Sequence, residues 1–122
     1  MHEFTGVMKA LSDPNRVKII KMLQHKELCV CEIQALLGIA QPTVSKHLKV
    51  LDDAGLVVLK KRGLWVYCHL SDGSTNAYVA TLLGNLRHWL EETAECSELR
   101  EKIDSVSSND MCNRSRYSRL GI

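Results

Sequence analysis

The sequence lacks an apolar run of membrane-spanning length, and it lacks a strong charge of either sign. Residues 1–9 contain no long apolar segment of the kind found in secretory signals. We therefore expect a cytoplasmic protein that has no membrane partner. The formal net charge is only +2, so any DNA binding must depend on local clusters of basic side chains.

A disulfide framework is also missing. The five cysteines are odd in number and unevenly spaced, and cytoplasmic thiols stay reduced, so the pattern indicates metal binding or thiol redox chemistry. A small dithiol oxidoreductase is a remote alternative. Such enzymes typically carry C-x-x-C after a strand of an α/β pattern, and no combination of nucleophile, base and orienting group is evident. The sequence therefore argues against an enzyme.

Apolar side chains recur at helical spacing through the first half of the chain. The first stripe consists of Phe4, Val7, Met8 and Leu11. Asp13 is a plausible N-cap and Pro14 the first residue of a second helix, whose predicted buried face is Val17, Ile20 and Leu23. No internal repeat is visible, and 122 residues with 45% apolar content suit one small domain.

Two further helices are separated by a short turn over residues 38–41. The third is marked by Ile33, Leu36 and Leu37 and stops at Gly38; the fourth opens at Pro42, buries Val44, Leu48 and Leu51, and ends at Gly55. This spacing fits a helix-turn-helix.

From residue 56 the period changes from helix to strand. Residues 56–59 and 64–68 predict two strands flanking residues 60–63, a hairpin with a basic tip. After a break at residues 71–74, one long amphipathic helix is predicted to run to about Ile103, with an apolar face of Val79, Leu82, Leu83, Leu86 and Leu90. The predicted fold class is mainly α with a small β-hairpin wing, a winged helix-turn-helix. The predicted domain covers residues 1–103, followed by a loosely ordered tail over residues 104–122.

The fourth helix carries the predicted DNA-reading side chains. With Val44 and Leu48 buried, Lys46, Lys49 and Asp53 are predicted to face solvent. Thr43 and Ser45 lie on the flanks of this face, and Gln41 lies at the helix N-terminus, the end that enters the major groove. His47 falls at the edge of the buried face, where it either packs on the core or contacts DNA. On the wing, the predicted phosphate or minor-groove contacts are Lys60, Lys61 and Arg62.

Cys29 and Cys31 place two thiols one residue apart, just before the helix-turn-helix. Residues i and i+2 of a regular helix point about 200° apart. Both thiols could then hold one ion only if the first turn of the third helix stayed open or were distorted. A helix N-terminus also lowers a thiol pKa, which favours soft-metal binding. The alternative is that both cysteines are buried small apolar side chains.

Several segments together resemble the ArsR/SmtB family of metal-sensing repressors. They are LSDPNR at residues 11–16, ELCVCEI at 27–33, QPTVSKHL at 41–48 and GLWVY at 63–67, so the resemblance covers roughly residues 4–90. It implies a homodimeric winged-helix repressor that leaves its operator when an inducer binds. Cys29 and Cys31 match the two cysteines of the ELCVCDL motif in arsenic- and cadmium/lead-responsive members. Gln41, Ser45 and Lys46 match DNA-reading positions of the family.

The sequence departs from the family pattern at the third sulfur ligand. Arsenic sensors often carry a third cysteine three residues after the second, where this chain has Gln34. Either two thiolates suffice with a solvent ligand, or a distant cysteine completes the site, Cys112 being favoured over Cys96. Cadmium and lead sensors usually take further cysteines from an N-terminal arm, where this chain has only His2.

A zinc site of the family's last-helix type is not expected. His88 and Glu91 supply its second half, but Thr75 and Ala77 occupy the positions where D-x-H is required. Cys68 alternates within the second wing strand and is interpreted as a packed strand residue.

The resulting hypothesis is a repressor of double-stranded operator DNA that dimerises through its first and last helices and has no constitutive cofactor. As(III) or Sb(III) acts as the inducer at Cys29 and Cys31. The alternatives keep the fold and replace the inducer by Cd²⁺ or Pb²⁺, or by thiol oxidation. Because a bond between Cys29 and Cys31 would close a small strained ring, oxidation is expected to bridge one of them to Cys112.

Overall fold

The computed structural model describes residues 1–74 and 76–105. The elements in chain order are α1 (His2–Ala10), α2 (Pro14–Leu23), β1 (Leu28–Cys29), α3 (Val30–Leu37), α4 (Gln41–Asp53), β2 (Val57–Arg62), β3 (Trp65–Leu70), α5 (Ala77–Leu86) and α6 (Ala94–Ser105). This arrangement confirms the winged helix-turn-helix. Among the described residues, no helix is both long enough and apolar enough to cross a membrane.

The helix boundaries follow the predicted start and stop signals. Asp13 caps α2, its carboxylate accepting the backbone N–H groups of Asn15 at 2.8 Å and Arg16 at 3.2 Å. Desolvation opposes the charged form, but these hydrogen bonds outweigh it and hold the pKa of Asp13 below its usual value. α3 ends at Gly38, whose φ of 69° is the left-handed conformation that glycine adopts without strain.

The core lies around α2, which contacts α3, α4, β3 and α6. The residues of the predicted apolar faces that lie buried in this core are Ile20, Leu23, Ile33, Leu36, Val44, Leu48 and Leu51. Val17 was predicted to be buried but is half-exposed, whereas Ile19 and Met22 are fully buried. Because α2 is covered on more than one side, its buried surface is wider than one stripe.

The three strands form an antiparallel sheet in the order β1-β3-β2. β1 was not predicted; it pairs Leu28 with Cys68 and Cys29 with Tyr67. After β3 the chain turns at Gly73, where φ is 75° and an added Cβ would lie 2.8 Å from the Ala80 Cα. Only glycine fits there, and the predicted break after the second wing strand is confirmed.

The C-terminal part contains two helices where the sequence predicted one. α5 ends at Leu86 and α6 begins at Ala94, so the predicted continuous helix to about Ile103 is wrong. Leu90 continues the helical stripe in the sequence, yet its φ is 67° and its side chain is 45% exposed.

Lys21 of α2 is the physical reason for this break. Its ammonium group donates to the carbonyl oxygens of Leu86 at 2.6 Å and Trp89 at 3.0 Å, and to Glu91 Oε1 at 2.7 Å. The lysine is 4% exposed, and each of its three N–H donors has an acceptor. A buried cation therefore fixes the turn after α5, and apolar periodicity does not report such a contact.

Exposed large apolar side chains lie mainly on α1, on α5 and in the turn that follows α5. They include Phe4, Met8, Tyr78, Trp89 and Leu90. Phe4 and Tyr78 pack edge to face, with ring centroids 5.3 Å apart. In contrast, Leu99 and Ile103 of α6 are buried in the core of the same chain. The predicted tail lies, beyond Ser105, outside the described residues.

Candidate DNA-binding surface and thiol site

α3 and α4 form the helix-turn-helix, and α4 presents the predicted reading surface. Val44, Leu48 and Leu51 fix one face of α4 in the core. On the other face Thr43, Lys46 and Lys49 are exposed, while Gln41 and Ser45 are half-exposed. Lys49 forms only a loose surface ion pair with Asp53, at 3.6 Å, which leaves its ammonium available to a stronger anionic partner.

Arg16 holds α4 against the N-terminal helices. Its Nε donates to the Ala10 carbonyl at 2.7 Å and its Nη2 to the Lys9 carbonyl at 3.2 Å, while Nη1 lies 3.2 Å from His47 Nδ1. A guanidinium can only donate, so His47 Nδ1 is the acceptor. The half-buried His47 is thus part of the packing between α2 and α4, one of the two roles considered for it.

The wing places its basic side chains on a strand and not at the tip. Lys60, Lys61 and Arg62 belong to β2, whereas the tight turn consists of Gly63, with φ 61°, and the exposed Leu64. The predicted basic tip is therefore wrong in this detail, because the strand pairing continues as far as Arg62 with Trp65. All three basic side chains are exposed.

Arg62 is engaged within the protein. Its Nη1 and Nη2 donate to Glu27 Oε1 at 2.5 Å and Oε2 at 3.2 Å. The guanidinium carbon also lies 4.9 Å from the centroid of the Tyr67 ring, a cation–π contact. No role was predicted for Glu27 or Tyr67. The ion pair to Glu27 depends on β1, whose two residues are too few to show a periodic pattern, and the Tyr67 contact depends on the exact register of the hairpin.

The two thiols meet at the junction of β1 and α3. Cys29 is the last residue of β1 and the N-cap of α3, with extended backbone at φ −82° and ψ 162°, and Cys31 is the second residue of the helix. Their Sγ atoms are 2.6 Å apart. Because only Cys31 is helical, the sulfurs converge with α3 intact. The predicted need for an open or distorted first turn applied to two helical cysteines, and that condition is not met because Cys29 lies outside the helix.

This thiol pair is buried beneath the wing. Cys29 is fully buried, Cys31 is 4% exposed, and both pack against the half-exposed Trp65 and Tyr67 of β3. Burial raises the pKa of Cys29 to about 12, and the nearby Glu32 carboxylate acts in the same direction. The pKa of Cys29 is therefore raised and not lowered as predicted, since desolvation outweighs the hydrogen bonds from the backbone N–H groups of the helix N-terminus.

Glu32 closes the first turn of α3. Its Oε1 accepts the Cys29 backbone N–H at 2.9 Å, and the Cys29 sulfur accepts the Glu32 N–H in return, a capping box. The carboxyl group is 1% exposed, and its Oε2 has no hydrogen-bond partner in the described part of the chain. The helical side of the thiol pair is thus firmly held.

The other candidate ligands that the structure describes lie outside β1 and α3. Across residues 1–74 and 76–105, no three His, Cys, Asp or Glu side chains are grouped as a metal ion would require. Cys68 is fully buried in β3, which confirms its packing role, and Cys96 is buried on α6. Glu91 is engaged by Lys21, whose hydrogen bond lowers the pKa of Glu91. Cys112, like Thr75, lies outside the described residues.

Comparisons with known proteins agree with this arrangement. A family model described as "Bacterial regulatory protein, arsR family" matches residues 13–58. The arsenical resistance operon repressor of Escherichia coli is 39% identical over 104 residues, which cover 84% of this chain and 80% of that protein. The arsenic resistance transcriptional regulator ArsR1 of Pseudomonas putida is 38% identical over 104 residues, 81% of each chain. Among solved structures, HlyU from Vibrio cholerae gives a TM-score of 0.62 at 28% identity, covering 73% of this chain and 92% of that chain.

Proposed function

Because this chain belongs to the arsR family of bacterial transcriptional regulators, we propose that it is an operator-binding repressor that trivalent arsenic or antimony releases from DNA by binding Cys29 and Cys31. The family and the matched relatives are regulators and not enzymes. The observation that carries the choice of inducer site is the convergence of two sulfurs, 2.6 Å apart, at the start of the helix that precedes α4.

The DNA-binding mode follows from the two basic surfaces. The N-terminal half of α4 enters the major groove, where Gln41, Ser45 and Lys46 meet base edges and Thr43 and Lys49 meet base edges or backbone. The wing contacts phosphates through Lys60, Lys61 and Arg62. A two-fold dimer then reads an imperfect palindrome whose half-sites lie about one helical turn apart. Such a regulator works in the cytoplasm, where its operator is.

Dimerisation is proposed through α1 and α5, where the exposed apolar side chains lie. Replacing Tyr78 by serine removes an aromatic side chain from this face and is expected to weaken the dimer at least about tenfold. Light scattering over a dilution series measures this. Leu64→Ser, which removes an exposed apolar side chain from the wing tip, is the control. A Tyr78→Ser protein that dimerises like wild type would contradict this interface.

The inducer chemistry is a ligand exchange at arsenic. Arsenous acid, As(OH)₃, reacts with two thiols to form two As–S bonds; each departing hydroxide takes a thiol proton and leaves as water. The product retains one As–OH group. The third position is therefore either this hydroxide or a further sulfur from Cys112, the two options left by Gln34.

Operator release measured by fluorescence anisotropy tests the inducer site. Arsenite is expected to weaken operator binding of the wild type by roughly five- to 150-fold. Cys29→Ser and Cys31→Ser should abolish this effect, while Cys96→Ser, a buried thiol on α6, should retain it. Release that survives loss of Cys29 or Cys31 would refute the site. Unchanged release in Cys112→Ser would assign the third position to hydroxide, and lost release would assign it to Cys112. Antimonite, Cd²⁺ and Pb²⁺ complete the inducer panel.

Thiol oxidation is the second candidate, in which one cysteine of the pair forms a disulfide with Cys112, because a bond directly between Cys29 and Cys31 would close a small strained ring. Two thiols would lose two protons and two electrons to hydrogen peroxide, which is reduced to water. Release by peroxide in metal-free buffer, with no response to arsenite, would favour this function over the first. Mass spectrometry of the released protein would identify whether Cys112 takes part in the bridge.

A further inference from the structure

The wing strand β3 lies directly on the thiol pair. In the β1–β3 register Cys29 is opposite Tyr67, and the side chains of Cys29 and Cys31 pack against Trp65 and Tyr67. The opposite side of the pair is the capped first turn of α3, closed by the buried Glu32. Among the residues that the structure describes, a group added to the sulfurs therefore meets the capped helix end on one side and two half-exposed rings on the other.

Arg62 is held by residues on both sides of this site. Glu27, which binds its guanidinium through both carboxylate oxygens, lies two residues before Cys29. Tyr67, whose ring lies under the guanidinium, is one of the two rings that cover the sulfurs. Arg62 is thus coupled by direct side-chain contacts to residues around the thiols.

Building on the repressor function proposed above, we propose that the wing carries the inducer signal, with Glu27 and Tyr67 acting as positioning residues for the DNA contact of Arg62. Without inducer, the carboxylate and the ring restrict the guanidinium to one place on the wing, so less side-chain entropy is lost when it meets a phosphate. The ion pair is exposed, which leaves the outer N–H groups of Arg62 open to the DNA.

Inducer binding changes this arrangement at the sheet side. An arsenic atom bonded to both sulfurs adds volume beneath Trp65 and Tyr67. Packed interiors resist added volume, and the half-exposed rings can move toward solvent more easily than the capped turn of α3. Displacement of the Tyr67 ring removes the surface on which Arg62 rests. The inducer-bound form then lacks a phosphate contact that the inducer-free form makes. Because the two forms differ in this contact, they differ in operator affinity, and inducer binding releases the DNA.

A double-mutant cycle tests the route. Operator affinity with and without arsenite is measured for wild type, Glu27→Gln, Arg62→Gln and the double variant; the ratio of the two affinities is the coupling factor. Inducer affinity is followed through Trp65 fluorescence in a Trp89→Phe background. Glu101→Gln removes the same charge from an exposed site on α6 and is the matched control.

Glu27→Gln is expected to bind arsenite within about twofold of wild type, while its coupling factor falls about threefold or more. This fall in the coupling factor should come from weaker operator binding in the absence of arsenite. In the Arg62→Gln background, Glu27→Gln should have no further effect, because the residue it positions is gone. Tyr67→Val, which keeps a strand-forming side chain, should lower the coupling factor in the same way.

Two results would overturn this route. One is a wild-type coupling factor in both Glu27→Gln and Tyr67→Val with arsenite still bound. The other is an equal effect of Glu27→Gln with and without Arg62. Failure of the underlying function gives a different result, since the wild type would then ignore arsenite or Cys29→Ser would still respond.

Discussion

Replacing the buried Lys21 by methionine tests what separates α5 from α6. Methionine has a similar length but no charge and no donors. The change leaves the buried carbonyl oxygen of Leu86 and the partly buried one of Trp89 without their hydrogen bonds, and it removes the ion pair to Glu91. A buried acceptor left without a donor costs about 1–3 kcal/mol.

The net loss is smaller than the sum of these costs. Methionine avoids the desolvation of a buried ammonium group, and the Trp89 carbonyl can bind water. We expect Lys21→Met to lower the free energy of unfolding by about 2–4 kcal/mol. Urea titration followed by far-ultraviolet circular dichroism measures this, and Trp89 fluorescence reports the turn itself.

Lys18→Met provides the matched control, since Lys18 is a half-exposed lysine on the same helix. Its effect should stay within about 0.5 kcal/mol. If Lys21→Met also changes stability by no more than this, with Trp89 fluorescence unchanged, the buried cation does not fix the break between α5 and α6.

The remaining predictions concern the turn at Gly73, the N-cap of α2 and the ion pair of Glu91. Gly73→Ala should destabilise the fold by about 1–3 kcal/mol in thermal denaturation, because Gly73 has a positive φ and the backbone of Ala80 lies close to it. Gly84 lies in open space on α5, so Gly84→Ala should be neutral or stabilising. Equal effects of the two substitutions would contradict this. Asp13→Ala removes the N-cap of α2 and should lower the free energy of unfolding by about 0.5–2 kcal/mol. Asn is also a good N-cap, so Asp13→Asn should lose less, and a larger loss in Asp13→Asn than in Asp13→Ala would argue against capping. The lowered pKa of Glu91 means that its charged form stabilises the fold. That contribution is fully present above its ordinary pKa of 4.5 and is lost as the pH falls through the lowered value. The stability gap between wild type and Glu91→Gln should therefore narrow on acidification, and a constant gap would refute the assignment.

The helix-turn-helix could be predicted from local chemistry. Gly38 and Pro42 punctuate the two helices, and Val44, Leu48 and Leu51 mark one buried face. These signals act within a few residues, so the sequence displays them directly.

The C-terminal helices could not be predicted in the same way. Leu90 stays in phase with the stripe of α5, so apolar spacing favours one long helix. The deciding contact joins Lys21 to Leu86 and Trp89, more than 60 residues later in the chain. A lysine in an amphipathic helix gives no sign that it will be buried.

The candidate thiol site was only half predictable. Two cysteines one residue apart before a helix indicated a shared ligand, but the sequence did not show that Cys29 lies outside the helix. Its extended conformation comes from pairing with Tyr67, and this register requires β3 to be in place. Glu27 escaped notice for the same reason, because its partner Arg62 is brought close by the sheet.

β1 also sets how quickly a ligand reaches the sulfurs. It is an edge strand of two residues, so few backbone hydrogen bonds hold it and its local opening costs less than global unfolding. A thiol that is fully buried in the closed form reacts only while this strand is open. For the inducer site proposed above, fraying of β1 would then limit the rate of inducer binding, and the same opening would set the rates of amide exchange and alkylation at Cys29.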